Sequence, residues 1–268
     1  LQQSLLESRE PMDIIVSGSL AYDRIMDFPG YFSDHILPDK IHALNVCFQV
    51  NGMKEKFGGT VTLVCLGPAR CVEAIRTGLA MGADKAVHLD DPAFDGGDAI
   101  STAKALAAAI KGLPHDLIFC GKQAIDDDSA AVGSALAENL GVPQVSLVVK
   151  VELSEDRKSA KVNRQILGGE EVLQVPLPAL LNAQKGLNEP RYASLPGIMK
   201  AKKKEIKSMK VADLGVAADS IGAAGARTKI LHMSAPPQRP AGKIIPGENP
   251  EEKAPVLAKL LREEAKII

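Results

Sequence analysis

LIFCGKQAIDDDSAAVGSALAENLGVP, residues Leu117 to Pro143, decides the fold. Leu117-Ile118-Phe119-Cys120 is a short apolar run of the kind that fills a parallel strand buried on both faces. Gly121 breaks it, and Ser129 to Leu140 has the Ala and Leu content of a helix that Gly141 and Pro143 stop. The turn between them lies at the carboxyl end of a strand. Open α/β sheets bind ligands there, because the next helix offers an anion unpaired N–H groups and the positive end of its dipole. Small residues Ser129, Ala130, Ala131 and Gly133 would let a phosphate or ribose approach the backbone. On spacing alone a second reading stays open, an ordinary βα unit in which Asp126, Asp127 and Asp128 cap the helix. Three carboxylates would repel a phosphate, so in the first reading backbone N–H groups hold it while the aspartates face ribose hydroxyls or the helix end. Acid/base catalysis by these aspartates is set aside, because nothing near them supplies a nucleophile or a metal partner.

The rest of the chain extends this unit in both directions. Leu1 to Pro11 is polar and ends in proline, a loose arm, and Met12 reads as a start codon retained inside the chain. Ile14-Ile15-Val16 is a strand, Tyr22 to Phe28 a second segment, and Lys40 to Val50 ends in Asn51-Gly52, a hairpin signal. The character changes at Phe57-Gly58-Gly59. Val61 to Leu66 is a strand, and Gly67-Pro68 opens a helix over Ala69 to Met81 with Val72, Ile75 and Leu79 at helical spacing. Lys85 to Leu89 is a strand, Asp90 to Asp98 a loop, Ile100 to Leu113 a helix, and Gln144 to Val149 another strand. Strands alternating with helices imply βαβ crossovers, hence an α/β fold with a mainly parallel, Rossmann-like sheet and helices on both faces.

Beyond Lys150 the period shifts. Ala160 to Ile166 and Glu171 to Val175 form a hairpin about Gly168-Gly169, and Pro178 to Ala183 is an apolar strand. Leu187 to Lys207 has too many turn-formers for a helix to begin before Leu195, and reads as an exposed loop feeding a lysine-rich segment. From Val211 onward, small residues and prolines suggest an extended arm with little core, closed by an amphipathic helix from about Pro255 to Ile268. Val256, Leu257, Leu260 and Leu261 share one face of it. Such an arm lies on a partner subunit or back on its own domain.

Bulk composition narrows the function. Of 268 residues only 3% are aromatic and none is Trp, against a base-stacking surface, and a net charge of −1 removes the electrostatic case for nucleic-acid binding. Cys47, Cys65, Cys71 and Cys120 form no CxxC pair and read as reduced thiols of a cytosolic protein. The histidines, His35, His42, His88, His115 and His232, lack metal-ligand spacing, so no metal site is expected. No secretory signal is visible, and no apolar run reaches the roughly 18 residues of a membrane span.

Four stretches, in this order, resemble one family. CLGPARCVEAIRTGLAMGADKAVHL (Cys65 to Leu89), CGKQAIDDDSAAVG (Cys120 to Gly133), LNEPRYASLPGIMKAKKK (Leu187 to Lys204) and PPQRPAG (Pro236 to Gly242) resemble the β subunit of electron-transfer flavoproteins, over about Val61 to Ile268. The resemblance implies an electron carrier rather than an enzyme, with no catalytic residues of its own. It implies a heterodimer with an α subunit that holds most of one FAD, while the β subunit holds AMP or, in bifurcating members, a second FAD. The nucleotide segment it implies is Gly121, Lys122, Gln123, Ala124, Ile125, Asp126, Asp127, Asp128, Ser129, Ala130, Ala131 and Val132, with Leu66 nearby. It further implies that Tyr192, Ala193, Ser194, Leu195 and Pro196, continued by Ile198, Met199 and Lys200, dock an acyl-CoA dehydrogenase-type donor, Leu195 being the anchor. A quinone oxidoreductase-type acceptor then takes the electrons, in the setting of fatty acid oxidation and the cytoplasm of a bacterium.

Physical reasoning on the docking loop agrees, since an apolar residue on a proline-fixed loop suits a partner's pocket. A second reading has Leu195 start a helix and pack inward. Lys200, Lys202, Lys203, Lys204, Lys207 and Lys210 either steer acidic partners or form a solvated face. Three departures from the family stand out. Leu167 replaces an acidic residue before Gly168-Gly169, Asn182 stands where a small Thr, Ala or Cys is usual, and the family's first strand and Asn-Pro motif are not recognisable. Met12 to Thr60 instead resembles the opening of ribokinase-like carbohydrate and nucleoside kinases, with Asp23 as the substrate-touching aspartate, but no catalytic-base segment follows later. The expected division is therefore 1–11 arm, 12–60 kinase-like strand and hairpin segment, 61–190 nucleotide-binding domain, 191–210 recognition loop and lysine segment, and 211–268 arm. Ile14 to Val16 is positioned to replace the missing first strand.

Overall fold

The computed structural model describes residues 12–17, 59–124, 127–188, 192–232, 234 and 242–267. The expected arm 1–11, segment Tyr22 to Phe28, hairpin over Lys40 to Val50, Asp23, Cys47, Ile125 and Asp126 lie outside the described residues, as does most of the PPQRPAG stretch.

Nine strands form one sheet in the order β7-β6-β5-β8-β4-β1-β2-β3-β9. They are β1 (Asp13–Ser17), β2 (Thr60–Leu66), β3 (Lys85–Leu89), β4 (Leu117–Gly121), β5 (Gln144–Leu153), β6 (Ser159–Ile166), β7 (Gly169–Pro176), β8 (Ala179–Ala183) and β9 (Ile206–Met209). The six strands from β8 to β9 in that order run parallel to their neighbours, and β5 also pairs parallel with β8. Among the described residues antiparallel pairing is confined to β5, β6 and β7. Ile14 faces Val61 on one side and Leu117 on the other. The N-terminal strand is thus an interior strand of the sheet, paired on both edges, and the described residues of segment 12–60 belong to the same sheet instead of standing apart.

Parallel strands alternate their side chains between two covered faces. Ile14, Val16, Leu63, Phe119 and Leu181 point to one face, where they meet Ile75 and Leu79 of α1 (Cys71–Ala80). Ile15, Val64, Val87, Ile118 and Leu180 point to the other, packed with Ala103, Leu106 and Ile110 of α2 (Ala99–Lys111) and Leu136 of α3 (Val132–Leu140). A fourth helix, α4 (Leu195–Lys203), adds Ala201 to the first face. The hairpin forms as expected. Leu167 at its tip is fully exposed, a position where neither an acidic residue nor a leucine has a packing constraint.

Three expectations need correction. The helix read from Ser129 begins at Val132, because Asp128 (φ 54°) and Ala130 (φ 52°) adopt left-handed backbone that no helix contains. The lysine-rich segment contains β9, which pairs parallel with β3 through Ala86 and Ile206. This strand escapes a periodicity reading, since only Ile206 and Met209 are partly buried while Lys207 and Ser208 face solvent, a usual arrangement for an edge strand. Nor does the whole chain after Val211 stand as one arm, since its first part packs back on its own domain, the second of the two readings left open for it. Val211, Leu214 and Val216, in and after the single turn α5 (Val211–Leu214), pack on the second face, and Ile221, just before α6 (Gly222–Gly225), is buried there.

The chain divides after Lys229 into a compact unit and a second unit of residues 230–268. The second unit's helix, α7 (Pro250–Glu263), begins ahead of Pro255, which lies inside it. Asn249 is its cap, its side-chain oxygen accepting from the Glu252 N–H at 2.9 Å. Val256 and Leu257 are exposed on it, and Lys243 pairs with Glu264.

The end of the first unit is tied by one carboxylate. Asp98 caps α2, accepting from the Ile100 and Ser101 N–H groups at 3.1 and 2.9 Å, and its second oxygen accepts from the Arg227 and Thr228 N–H groups at 2.7 and 3.1 Å. These donors hold its carboxyl well below the usual range. Asp98→Ala is expected to destabilise the chain by about 1–2 kcal/mol through the lost cap. Limited proteolysis should then cut sooner near Arg227, and unchanged cleavage there would contradict the tie.

Candidate functional site

The carboxyl ends of β1, β2 and β4 form one edge, bringing together Ser17, Leu66 and Gly121. From Gly121 the chain turns through Lys122, whose N–H donates to the Ala183 carbonyl at 3.2 Å, holding the turn to the end of β8. The Asp128 N–H donates to the Ala124 carbonyl at 3.1 Å, and the Asp127 carboxylate accepts from the Ser129 N–H at 3.1 Å. The Gln123 side-chain amide donates to the Asp128 carboxylate. Helix α3 then starts from Ala131, which has no side-chain cap. Asp127 and Asp128 therefore brace the turn, and the reading in which they cap the helix does not hold for them.

The first backbone bond of α3 runs from the Ala135 N–H to the Ala131 carbonyl. The N–H groups of Val132, Gly133 and Ser134 precede it, and in a helix these first donors lack intrahelical acceptors. They lie at the positive end of the dipole, and the run before them, Asp127 to Ala130, is exposed. Two buried polar atoms at the same edge lack a protein partner among the described residues, the Ser17 hydroxyl oxygen and the Asn182 side-chain oxygen. Sequence reasoning did not place Ser17 in the site, although Ser17-Gly18-Ser19 after an apolar strand is the kind of small polar turn that borders ligands. Backbone donors and small side chains at one edge fit a phosphate-bearing ligand better than a catalytic centre.

Asn182, one of the departures, is accommodated by a glycine. It is 2% exposed, and its amide nitrogen donates to the Gln144 side-chain oxygen and the Ser146 hydroxyl, both at 3.1 Å. Its oxygen faces Gly133, where an added Cβ would lie only 1.9 Å away. The first turn of α3 sits directly on this amide because position 133 has no side chain.

The docking-loop residues form a separate patch. Tyr192 is 98% and Leu195 79% exposed, with Ile198 and Met199 exposed beside them. Leu195 does start a helix, as α4, but it faces solvent; the inward-packing reading does not hold. Ser194 caps α4, its hydroxyl accepting from the Gly197 N–H at 3.1 Å, with Pro196 in the first turn. Lys200, Lys202 and Lys203 are exposed, whereas Lys204 is half-buried and donates to the Ala83 carbonyl.

Cysteine and histidine chemistry is local. Burial alone pushes the Cys120 thiol up to about 12. Cys71, at the start of α1, is lowered to about 7, first by its hydrogen bond with Cys65 and then by Arg70. His88 is buried and bonds the Gly67 carbonyl at 2.8 Å, fixing the turn that carries Leu66. Among the described residues no three His, Cys, Asp or Glu side chains form a metal cluster, and no helix is long and apolar enough to cross a membrane.

Comparison with known proteins gives this geometry a family. The model for the electron transfer flavoprotein domain matches residues 49–214. The chain is 44% identical to the electron transfer flavoprotein subunit beta of Thermoanaerobacterium thermosaccharolyticum, over 79% of this chain and 80% of that one. It is 42% identical to the bovine electron transfer flavoprotein subunit beta, over 83% and 90%. It is also 39% identical to a subunit of the caffeyl-CoA reductase-Etf complex of Acetobacterium woodii, over 84% and 85%. The chain belongs to the electron transfer flavoprotein family and, like its β-subunit relatives, is an electron carrier. The kinase resemblance of Met12 to Thr60 finds no support in these comparisons.

Gly133→Ala is expected to cost about 1–3 kcal/mol in urea denaturation by overpacking Asn182. Asn182→Ala in the same chain should recover most of it; simple addition of the two losses would show that the contact is unimportant. In a second test, iodoacetamide should label Cys71 well ahead of Cys65 and Cys120. The thiolate is the nucleophile, so the rate should climb between about pH 6 and 8. Equal labelling of the three would overturn the assignment.

Proposed function

We propose that the chain works as the β subunit of a heterodimer whose α subunit holds most of one FAD, while the β4–α3 turn holds an adenine nucleotide. The observation that carries this reading is the row of N–H groups at Val132, Gly133 and Ser134, without a partner among the described residues, at the start of a helix that follows a turn of small residues at the carboxyl edge of a parallel sheet. Val132 and the described residues from Gly121 to Ala124 and Asp127 to Ala131, with Leu66, form the binding segment. Ile125 and Asp126 join it by the family resemblance. AMP or a second FAD is the nucleotide, its phosphate on the helix amines and the aspartates bracing the loop.

The flavin, when bound, supplies the redox chemistry, and the chain's residues hold and orient the nucleotide and present the docking surface. Tyr192 to Pro196, with Ile198, Met199 and Lys200, are assigned to an acyl-CoA dehydrogenase-type donor, and a quinone oxidoreductase-type protein is the acceptor. An exposed cluster of large apolar side chains on a capped helix supports the donor assignment, because such clusters are costly on a free surface and form the anchors of interfaces. Fatty acid oxidation and a bacterial cytoplasm are the setting implied by the resemblance.

Co-expression with a matching α subunit should give a complex with flavin absorbance, and denaturation should release AMP or a second FAD. A complex without flavin would sink the reading. In the same complex Leu195→Ala should raise the KM for an acyl-CoA dehydrogenase kept reduced by its acyl-CoA, with flavin content unchanged. Loss of flavin instead would make the loop structural, and a wild-type complex that shows no saturable reduction would remove the donor assignment.

A further inference from the structure

We propose that Arg76 is a positioning residue for partner docking, holding α4 in the orientation that presents Leu195, Ile198 and Met199. The inference rests on the reading of Tyr192 to Lys200 as the docking surface. Helix α4 has nine residues, and Ala201 is the one that is buried. A helix this short has little intrinsic stability, and one buried alanine adds little more. What fixes it is polar and lies largely on α1.

The Arg76 guanidinium donates through Nη1 to the Ala201 carbonyl at 2.7 Å and also to the Lys204 carbonyl. These oxygens belong to the carboxyl end of α4, where the dipole is negative; the Ala201 carbonyl also accepts from the Lys204 N–H at 3.2 Å, so the guanidinium adds a second donor to it. A planar cation that reaches both fixes the height and the angle of the last turn. Arg76 is itself well anchored, since its neighbour Ile75 and, one turn on, Leu79 are fully buried in the sheet core. The two helices touch closely at the other end of α4. Gly197 lies against the Ala80 carbonyl, where an added Cβ would come within 2.4 Å.

The face of α4 away from α1 is therefore free to carry apolar side chains, because its inner face is tied by backbone carbonyls and not by side-chain burial. Without the guanidinium the last turn would fray. Ile198 and Met199 would then have to be ordered at the moment of docking, a cost that weakens association without touching the nucleotide site.

The test uses the flavin-loaded heterodimer and an acyl-CoA dehydrogenase kept reduced by its acyl-CoA. Arg76→Gln is expected to raise the KM about tenfold, with kcat and flavin content unchanged, and Arg76→Lys to recover part of the loss. In the background of Leu195→Ala, Arg76→Gln should add less than about twofold, because it acts through the helix that presents Leu195. An unchanged KM, full additivity with Leu195→Ala, or loss of the heterodimer in both Arg76 variants would overturn the inference. If Leu195→Ala alone leaves KM unchanged, the docking reading itself has failed, and the two failures are told apart.

Discussion

The pairing of β1 with both β2 and β4 is the constraint on which the rest of the structure depends. A central strand must satisfy the backbone hydrogen bonds on both its edges, and here five residues, Asp13 to Ser17, do so between two halves of the sheet. Asp13 donates its N–H to the Asp116 carboxylate at 2.7 Å, so the entry to β4 is fixed to the entry to β1. The carboxyl ends of β1, β2 and β4, the candidate nucleotide edge, take their height from this register. A strand of Ile, Ile and Val meets the requirement through its backbone and its apolar side chains, whatever the sequence that follows it.

From that frame two surfaces are built by different means. At the candidate nucleotide edge the turn is braced by its own side chains, Gln123, Asp127 and Asp128, and by left-handed backbone at Asp128 and Ala130, leaving the first amines of α3 without partners among the described residues. Strain of this kind is retained where the surrounding structure over-determines it. At the docking patch nothing is strained. A capped short helix is hung from α1 by hydrogen bonds to its carbonyls, and its apolar residues are left outside.

The strands and the crossover helices were legible because each rests on local pattern. Lys85 to Leu89 and Leu117 to Cys120 are apolar runs with clear breaks, whereas the turn-formers of Leu187 to Pro196 favour a loop and leave the helix from Leu195 as the second reading only. The composition of Ser129 to Ala131 suits a helix, so only the backbone angles reveal that the helix starts later. Strand β9 buries too little to leave a period. The role of Arg76 depends on carbonyls more than a hundred residues away, and a carbonyl carries no side-chain signature at all. Asn182 was visible as a departure from the family, but its accommodation by Gly133 becomes visible only when the two are seen in contact.

That contact also sets an order in which the chain can change. With Asn182 in place, any side chain at position 133 collides with its amide, so glycine there is no longer a free choice. A small residue at position 182 would lift that restriction. A side chain at position 133 is therefore tolerated more readily once position 182 is small, and the asparagine acts as a one-way constraint on the first turn of α3.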